Sequence, residues 1–174
     1  MSSIKIIKGS SVDQKVDAIV NAANIYLASG GGVCGEIFKR AGYLELTEAC
    51  NKYERPVNDG DAVITDSFNI DNCKYIIHAV GPDFNRTPGA YDKLFDAYYN
   101  SLQVLKDNNL HSISFPLISS GIFGGNNPNP AKVSAEQCLK AYNKFIEDNN
   151  DYDINVLLCA YSQNEYEEIK EIIK

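Results

Sequence analysis

A three-layer α/β/α sandwich around a central mixed, mostly parallel sheet is the fold the sequence predicts, and three observations predict it. Short, densely apolar runs, such as 74–80 and the uninterrupted 155–161, read as strands buried on both faces. Between such runs lie stretches with apolar residues three and four apart, the spacing of amphipathic helices. Two of the strands are followed by glycine-rich loops, at 30–32 and 119–125, where sheets of this kind place their ligand chemistry.

In chain order, residues 4–8 form a short β-rich run and Ala18 to Val20 a second, bracketing a polar or short helical turn from Gly9 to Lys15. After the first glycine run, Val33, Ile37, Phe38 and Ala41 fall on one side of a helix, with Gly42 as its stop. Glu45 to Tyr53 continues as a second helical segment, broken by Pro56. The turn at 58–60 leads to a strand at 62–64, and a dense strand at 74–80 ends at Gly81-Pro82. These two read as neighbours joined by the polar segment 65–73. Leu94, Phe95, Tyr98, Leu102 and Leu105 give an amphipathic helix over 91–106. A strand at 111–118 runs into the second glycine loop, and Asn129, as N-cap before Pro130, opens a helix to about Glu147. The last pair is a strand at 155–161 and a helix at 165–173.

With 174 residues, 44% apolar and 22% charged, the chain has the composition of one globular domain spanning 1–174. Its formal net charge of -7 argues against direct nucleic-acid binding, which ordinarily needs a basic face. An anion would have to be held by directed N–H groups. No apolar stretch of eighteen residues occurs, so neither a signal peptide nor a membrane span is expected, and the chain reads as soluble and cytoplasmic. No apolar surface stripe is left unassigned, which favours a monomer. Five scattered cysteines without a CxxC pair predict reduced thiols and no metal.

Gly30, Gly32 and Gly35 satisfy G-x-G-x-x-G. Residues 21–29 intervene between strand and glycines, however, and no acidic strand end appears about twenty residues later, so a dinucleotide unit is not indicated. At 21–24, NAAN offers two readings: one amide holds a sugar hydroxyl while the other fixes the loop, or both make structural Asx-turn bonds. His78 lies inside an apolar strand and reads as a hydrogen-bonded core histidine; His111 starts a strand and is expected to be exposed.

VDAIVNAAN at 16–24, GGGV at 30–33, YIIHAVGP at 75–82 and SSGIFG at 119–124 together resemble a macrodomain, the ADP-ribose-binding module, in the right order over nearly the whole chain. The likeness is greatest to viral-type and MacroD-like members. The resemblance implies that Asn24 binds the distal ribose and that Gly30, Gly31, Gly32 and Val33 wrap that ribose and one phosphate, beside Ala22 and Cys34. Ser119, Ser120, Gly121, Ile122 and Phe123 form the second phosphate loop. Tyr161 matches an adenine-stacking position, with Ser10 and Ser11 at the adenine end. Ser10 stands where most macrodomains carry an aspartate for the adenine amino group. Cys34 and Phe38 stand where MacroD-type hydrolases carry aspartate and histidine, so these two cannot supply that acid and base.

The same resemblance implies ADP-ribose as ligand, ADP-ribosylated protein as partner and no resident cofactor. Its first reading is a hydrolase that removes mono-ADP-ribose from acidic side chains, with Asn24 and Gly32 as its catalytic positions. A reader without turnover and a phosphatase acting on ADP-ribose 1″-phosphate would use the same pocket.

Overall fold

The computed structural model describes residues 1–173, whose strands and helices alternate as the apolar spacing requires. The strands are β1 (Ser3–Lys8), β2 (Ala18–Ala23), β3 (Ala62–Asp66), β4 (Tyr75–Val80), β5 (Ser112–Phe115) and β6 (Asn155–Ala160). The helices are α1 (Gly32–Ala41), α2 (Tyr43–Cys50), α3 (Tyr91–Asp107), α4 (Pro130–Asp148) and α5 (Gln163–Ile169). One six-stranded sheet has the order β1-β6-β5-β2-β4-β3, with every pairing parallel except the antiparallel β3–β4. The fold is therefore the mixed, mostly parallel α/β/α sandwich expected.

Alternation along the strands feeds two cores. β2 turns Ala18 and Val20, and β4 turns Ile77 and Ala79, toward Tyr98, Leu102, Phe145 and Ile169 of α3, α4 and α5. Ile19 and Ala23 of β2, with Ile76 and Val80 of β4, face Ile37, Phe38 and Leu46 of α1 and α2. Burying side chains of this size stabilises by roughly 1.5–3 kcal/mol each, which explains why both layers close over the sheet. Among the described residues no helix is long and apolar enough to cross a membrane.

Element ends differ from expectation for local reasons. The run at 111–118 is a strand only to Phe115, because Pro116 has no N–H to give the ladder. Beyond it the backbone is held by side chains: Tyr98 Oη accepts from Ile118 N at 3.0 Å, and Ser134 Oγ donates to Ile118 O at 2.6 Å. Asn129 makes no side-chain cap, although Pro130 does open α4. Helix α5 starts earlier than 165, at Gln163, because Ser162 and Glu165 form a capping box. Gly42 stops α1 as expected, at φ 114°, where its N–H returns to Phe38 O at 3.1 Å. The same residue caps α2, which consequently begins at Tyr43. The segment 9–15 holds a short 3-10 turn, Ser11–Asp13.

Candidate functional site

At the carboxyl ends of β2 and β5 the two glycine-rich loops face each other across a cavity of about 470 Å³. Its wall brings together Ala22, Asn24, Gly30, Gly31, Gly32, Val33 and Cys34 with Ser119, Ser120, Gly121, Ile122 and Phe123, all expected from the sequence.

The first loop is built by Asn24. Its Oδ1 accepts from the N–H groups of Tyr26 and Ala28, both at 3.1 Å, and its Nδ2 donates to Ala28 O at 2.9 Å. So the amide expected at the ribose also makes the Asx-type bonds that shape the loop, leaving one Nδ2 hydrogen for a ligand. The loop then folds back on the start of α1: a Cβ on Gly35 would stand 2.5 Å from Gly30 O. Glycine at 35 is thus required by close backbone approach. Gly32 begins α1 at φ 60°, and the helix has no side-chain cap, so the N–H groups of its first turn face the cavity wall formed by Gly32, Val33 and Cys34.

The second loop is fixed by hydroxyls bonded to backbone carbonyls. Ser119 Oγ donates to Pro82 O and Ser120 Oγ to Leu117 O, each at 2.7 Å. A Cβ on Gly81 would meet Ile118 and come within 2.5 Å of Ser119 Oγ, so the end of β4 must be glycine for this loop to nest there. The N–H groups of Gly121 and Ile122 take no backbone carbonyl among the described residues, whereas Phe123 O accepts from Phe84 N at 2.9 Å. Two converging sets of free N–H donors suit a phosphate or diphosphate.

A second cavity, about 340 Å³, opens from the first past Gly32, Val33 and Ser120 and reaches Ser11 and Tyr161. Tyr161 lies just beyond β6 and is 78% exposed, so its ring is available to a planar ligand and is not part of the core. Ser11 is buried, and its Oγ has no hydrogen-bond partner among the described residues. Ser10 lines neither cavity: its hydroxyl accepts from Val12 N at 3.2 Å to cap the 3-10 turn. Asp13 does not replace it, because its carboxylate pairs with Arg40 at 2.6 Å.

Sequence reasoning missed Pro116, Leu117, Glu36, Cys159 and Glu165, which complete this second wall. Pro116 inside a strand-like run was the available signal for the first two. Glu36 sits one helical turn after Gly32, and the S-x-x-E capping pattern places Glu165 beside Tyr161.

Beneath the first loop, Asn21 and His78 are register partners on β2 and β4. Asn21 Nδ2 lies 3.0 Å from His78 Nδ1, and His78 Nε2 lies 2.9 Å from Thr65 Oγ1. Complete burial lowers the His78 pKa to about 3, so the imidazole is a neutral core group, as expected. His111 is exposed, with Nδ1 2.7 Å from Asp153 O. Cys34 Sγ donates to Ala28 O at 3.5 Å, and burial pushes its thiol pKa up. A protonated, inward-facing thiol is not an activated nucleophile. Phe38 is buried against Tyr43, with ring centroids 6.1 Å apart, and stays in the core. Among the described residues no group of three or more His, Cys, Asp or Glu is placed to hold a metal.

Against known proteins, residues 20–134 match the model of the Macro domain. An O-acetyl-ADP-ribose deacetylase of Escherichia fergusonii is 41% identical over 83% of this chain and 81% of its own length. The ADP-ribose glycohydrolase MACROD1 of Bos taurus is 36% identical over 93% of the chain, which spans 48% of that relative. Among solved structures, the Trypanosoma brucei macrodomain in complex with ADP-ribose superposes with a TM-score of 0.83 at 30% identity, covering 97% of this chain and 68% of that one.

Proposed function

The chain belongs to the Macro domain family, and from that premise we propose that it binds ADP-ribose and hydrolyses mono-ADP-ribose from acidic side chains of modified proteins. One observation carries the reading. Two loops with free N–H groups flank a cavity that runs on to an exposed tyrosine, the shape of a diphosphate with a sugar at one end and a base at the other.

In this reading the first turn of α1 and the 119–123 loop hold the diphosphate. Tyr161 stacks on adenine, a contact worth roughly 1–3 kcal/mol. The free Nδ2 hydrogen of Asn24 and the backbone at Gly32 hold the distal ribose. Hydrolysis breaks the bond between the anomeric carbon and the acceptor carboxylate: water adds its oxygen to that carbon, the carboxylate leaves, and one proton goes to solvent. The transition state carries positive charge on the sugar. The substrate's own diphosphate orients the water, and the protein contributes position.

A non-catalytic reader is the second reading, favoured by a specific observation. Cys34, which burial keeps protonated, is the one titratable side chain on the central cavity wall. Calorimetry with free ADP-ribose, run beside label release from an auto-modified ADP-ribosyltransferase, separates the two. Binding with release supports the hydrolase, binding without release supports the reader, and no binding overturns both. Asn24→Ala should slow release by about tenfold or more, because it removes a neutral hydrogen bond of ~0.5–1.5 kcal/mol together with the bonds that shape the loop; an unchanged rate removes Asn24 from the chemistry.

A further inference from the structure

The cavities along the carboxyl edge of the sheet stand in a line. The tyrosine cavity lies over β1 and β6, and the central one over β5 and β2. A third, of about 510 Å³, comes next, over β4 and β3. It shares Asn24 and Phe123 with the central cavity and is otherwise lined by Tyr26, Asp59, Asp83 and Arg86, among others. We propose that this third cavity is the acceptor subsite: it takes the polypeptide segment that carries the modified acidic side chain, and it favours a basic residue beside that side chain.

The inference rests on the ADP-ribose reading of the first two cavities. With the base at Tyr161, the distal ribose ends at Asn24 and Phe123. Whatever is attached to it must leave between those residues, and the third cavity is what lies beyond them.

The charges there select the occupant. Arg86 is its one cation, exposed and in no ion pair among the described residues, so its planar guanidinium is free for the ester carbonyl of the modified side chain and for the carboxylate that it becomes as the bond breaks. Asp59 likewise has no ion pair among them. Asp83 is engaged only by neutral groups, its Oδ1 accepting from Asn85 N at 3.0 Å and Asn85 Nδ2 at 2.9 Å. With two carboxylates against one guanidinium in a chain of net charge -7, an acidic neighbour is repelled and a lysine or arginine is drawn in. Tyr26, 59% exposed, offers a ring face to such a cation.

The test uses two short peptides modified with ADP-ribose on the same glutamate, one flanked by lysines and one by glutamates. Conversion is measured for each, or affinity if the protein does not turn them over. The wild type should prefer the lysine peptide by about tenfold in kcat/KM or Kd, a preference that shrinks with added salt. Asp59→Lys should abolish or invert the preference while its Kd for free ADP-ribose stays within about twofold, which also reports that the variant is folded. Arg86→Glu, which leaves three carboxylates and no cation, should widen the lysine preference several-fold and lower use of the glutamate peptide by about tenfold. Equal use of the two peptides by the wild type, or an unchanged ratio in Asp59→Lys, overturns the subsite. Failure of the wild type to bind free ADP-ribose overturns instead the reading of the first two cavities, and the subsite falls with it.

Discussion

The loop after β2 and the loop after β5 face each other across one cavity, yet they are held in opposite ways. The first is held mainly from close by in sequence: Asn24 reaches two and four residues ahead and Gly35 packs on Gly30, with the bond from Val57 N to Ile25 O as a distant addition. The second is held mainly from elsewhere in the chain, by Pro82 for Ser119, by Phe84 for Phe123 and by Tyr98 and Ser134 for Ile118. A loop shaped by its own residues fails when one of them is changed. A loop shaped by many distant partners yields gradually.

The largest effect is therefore expected at the first loop. Gly35→Val would drive a side chain into the Gly30 carbonyl, a backbone atom that cannot rotate away, and should weaken ADP-ribose binding at least about 100-fold, or ~3 kcal/mol. Calorimetry on the purified variant measures it, and affinity within tenfold of the wild type would mean that the first loop is as adaptable as the second.

The next effect concerns what lies under that loop. His78 is neutral when folded, with a pKa of about 3 against 6.5 for the free group. The depressed value means that the unfolded chain takes up the proton first as pH falls. The contribution is whole above pH 6.5 and is lost progressively toward pH 3, about 2 kcal/mol of it by pH 5. Urea unfolding at pH 7 and pH 5 reads this, and His78→Gln should flatten the difference. A wild type equally stable at both pH values would show that the imidazole is not held neutral.

The smallest effect belongs to the second loop. Ser119→Ala removes one hydrogen bond to Pro82 O and should cost about 1 kcal/mol in stability and a few-fold in ADP-ribose affinity. If it cost as much as Gly35→Val, the contrast between the loops would disappear.

Legibility of the sequence divides along the same line. Dense apolar runs such as 155–161 read as buried strands, and both glycine loops are visible as composition, so the sandwich and the central cavity were legible. Asn24 was legible as a residue but not in its dual use, because NAAN does not say which amide turns inward; Asn21 does, toward His78. Ser10 was expected at the adenine end because of its place after Gly9, yet a three-residue turn spends its hydroxyl. That Asp13 is drawn to Arg40, 27 residues away, is a tertiary event that no local pattern encodes. Glu36 and Glu165 were hidden for the same reason, since each becomes part of a wall only when α1 and α5, packed on opposite faces of the sheet, both reach its carboxyl edge.

The pairing of β1 with β6 gives the two ends of the cleft different folding histories. Ser3 lies against Asn155 in that register, and Gly9 N–H closes on Ala160 O at 2.9 Å, so Ser11 and Tyr161 are brought together by a contact that spans most of the chain. Contacts of such separation are costly in chain entropy and form late. The central cavity is built on β2, α1 and the loop after β5, which the end of β4, α3 and α4 hold in place, and β1 is not among them. Opening of the β1 edge would thus dismantle the tyrosine cavity and leave the glycine cradle standing. A ligand that touches both fastens that edge to the rest, and its occupancy should register as slowed amide exchange along β1, far from any phosphate.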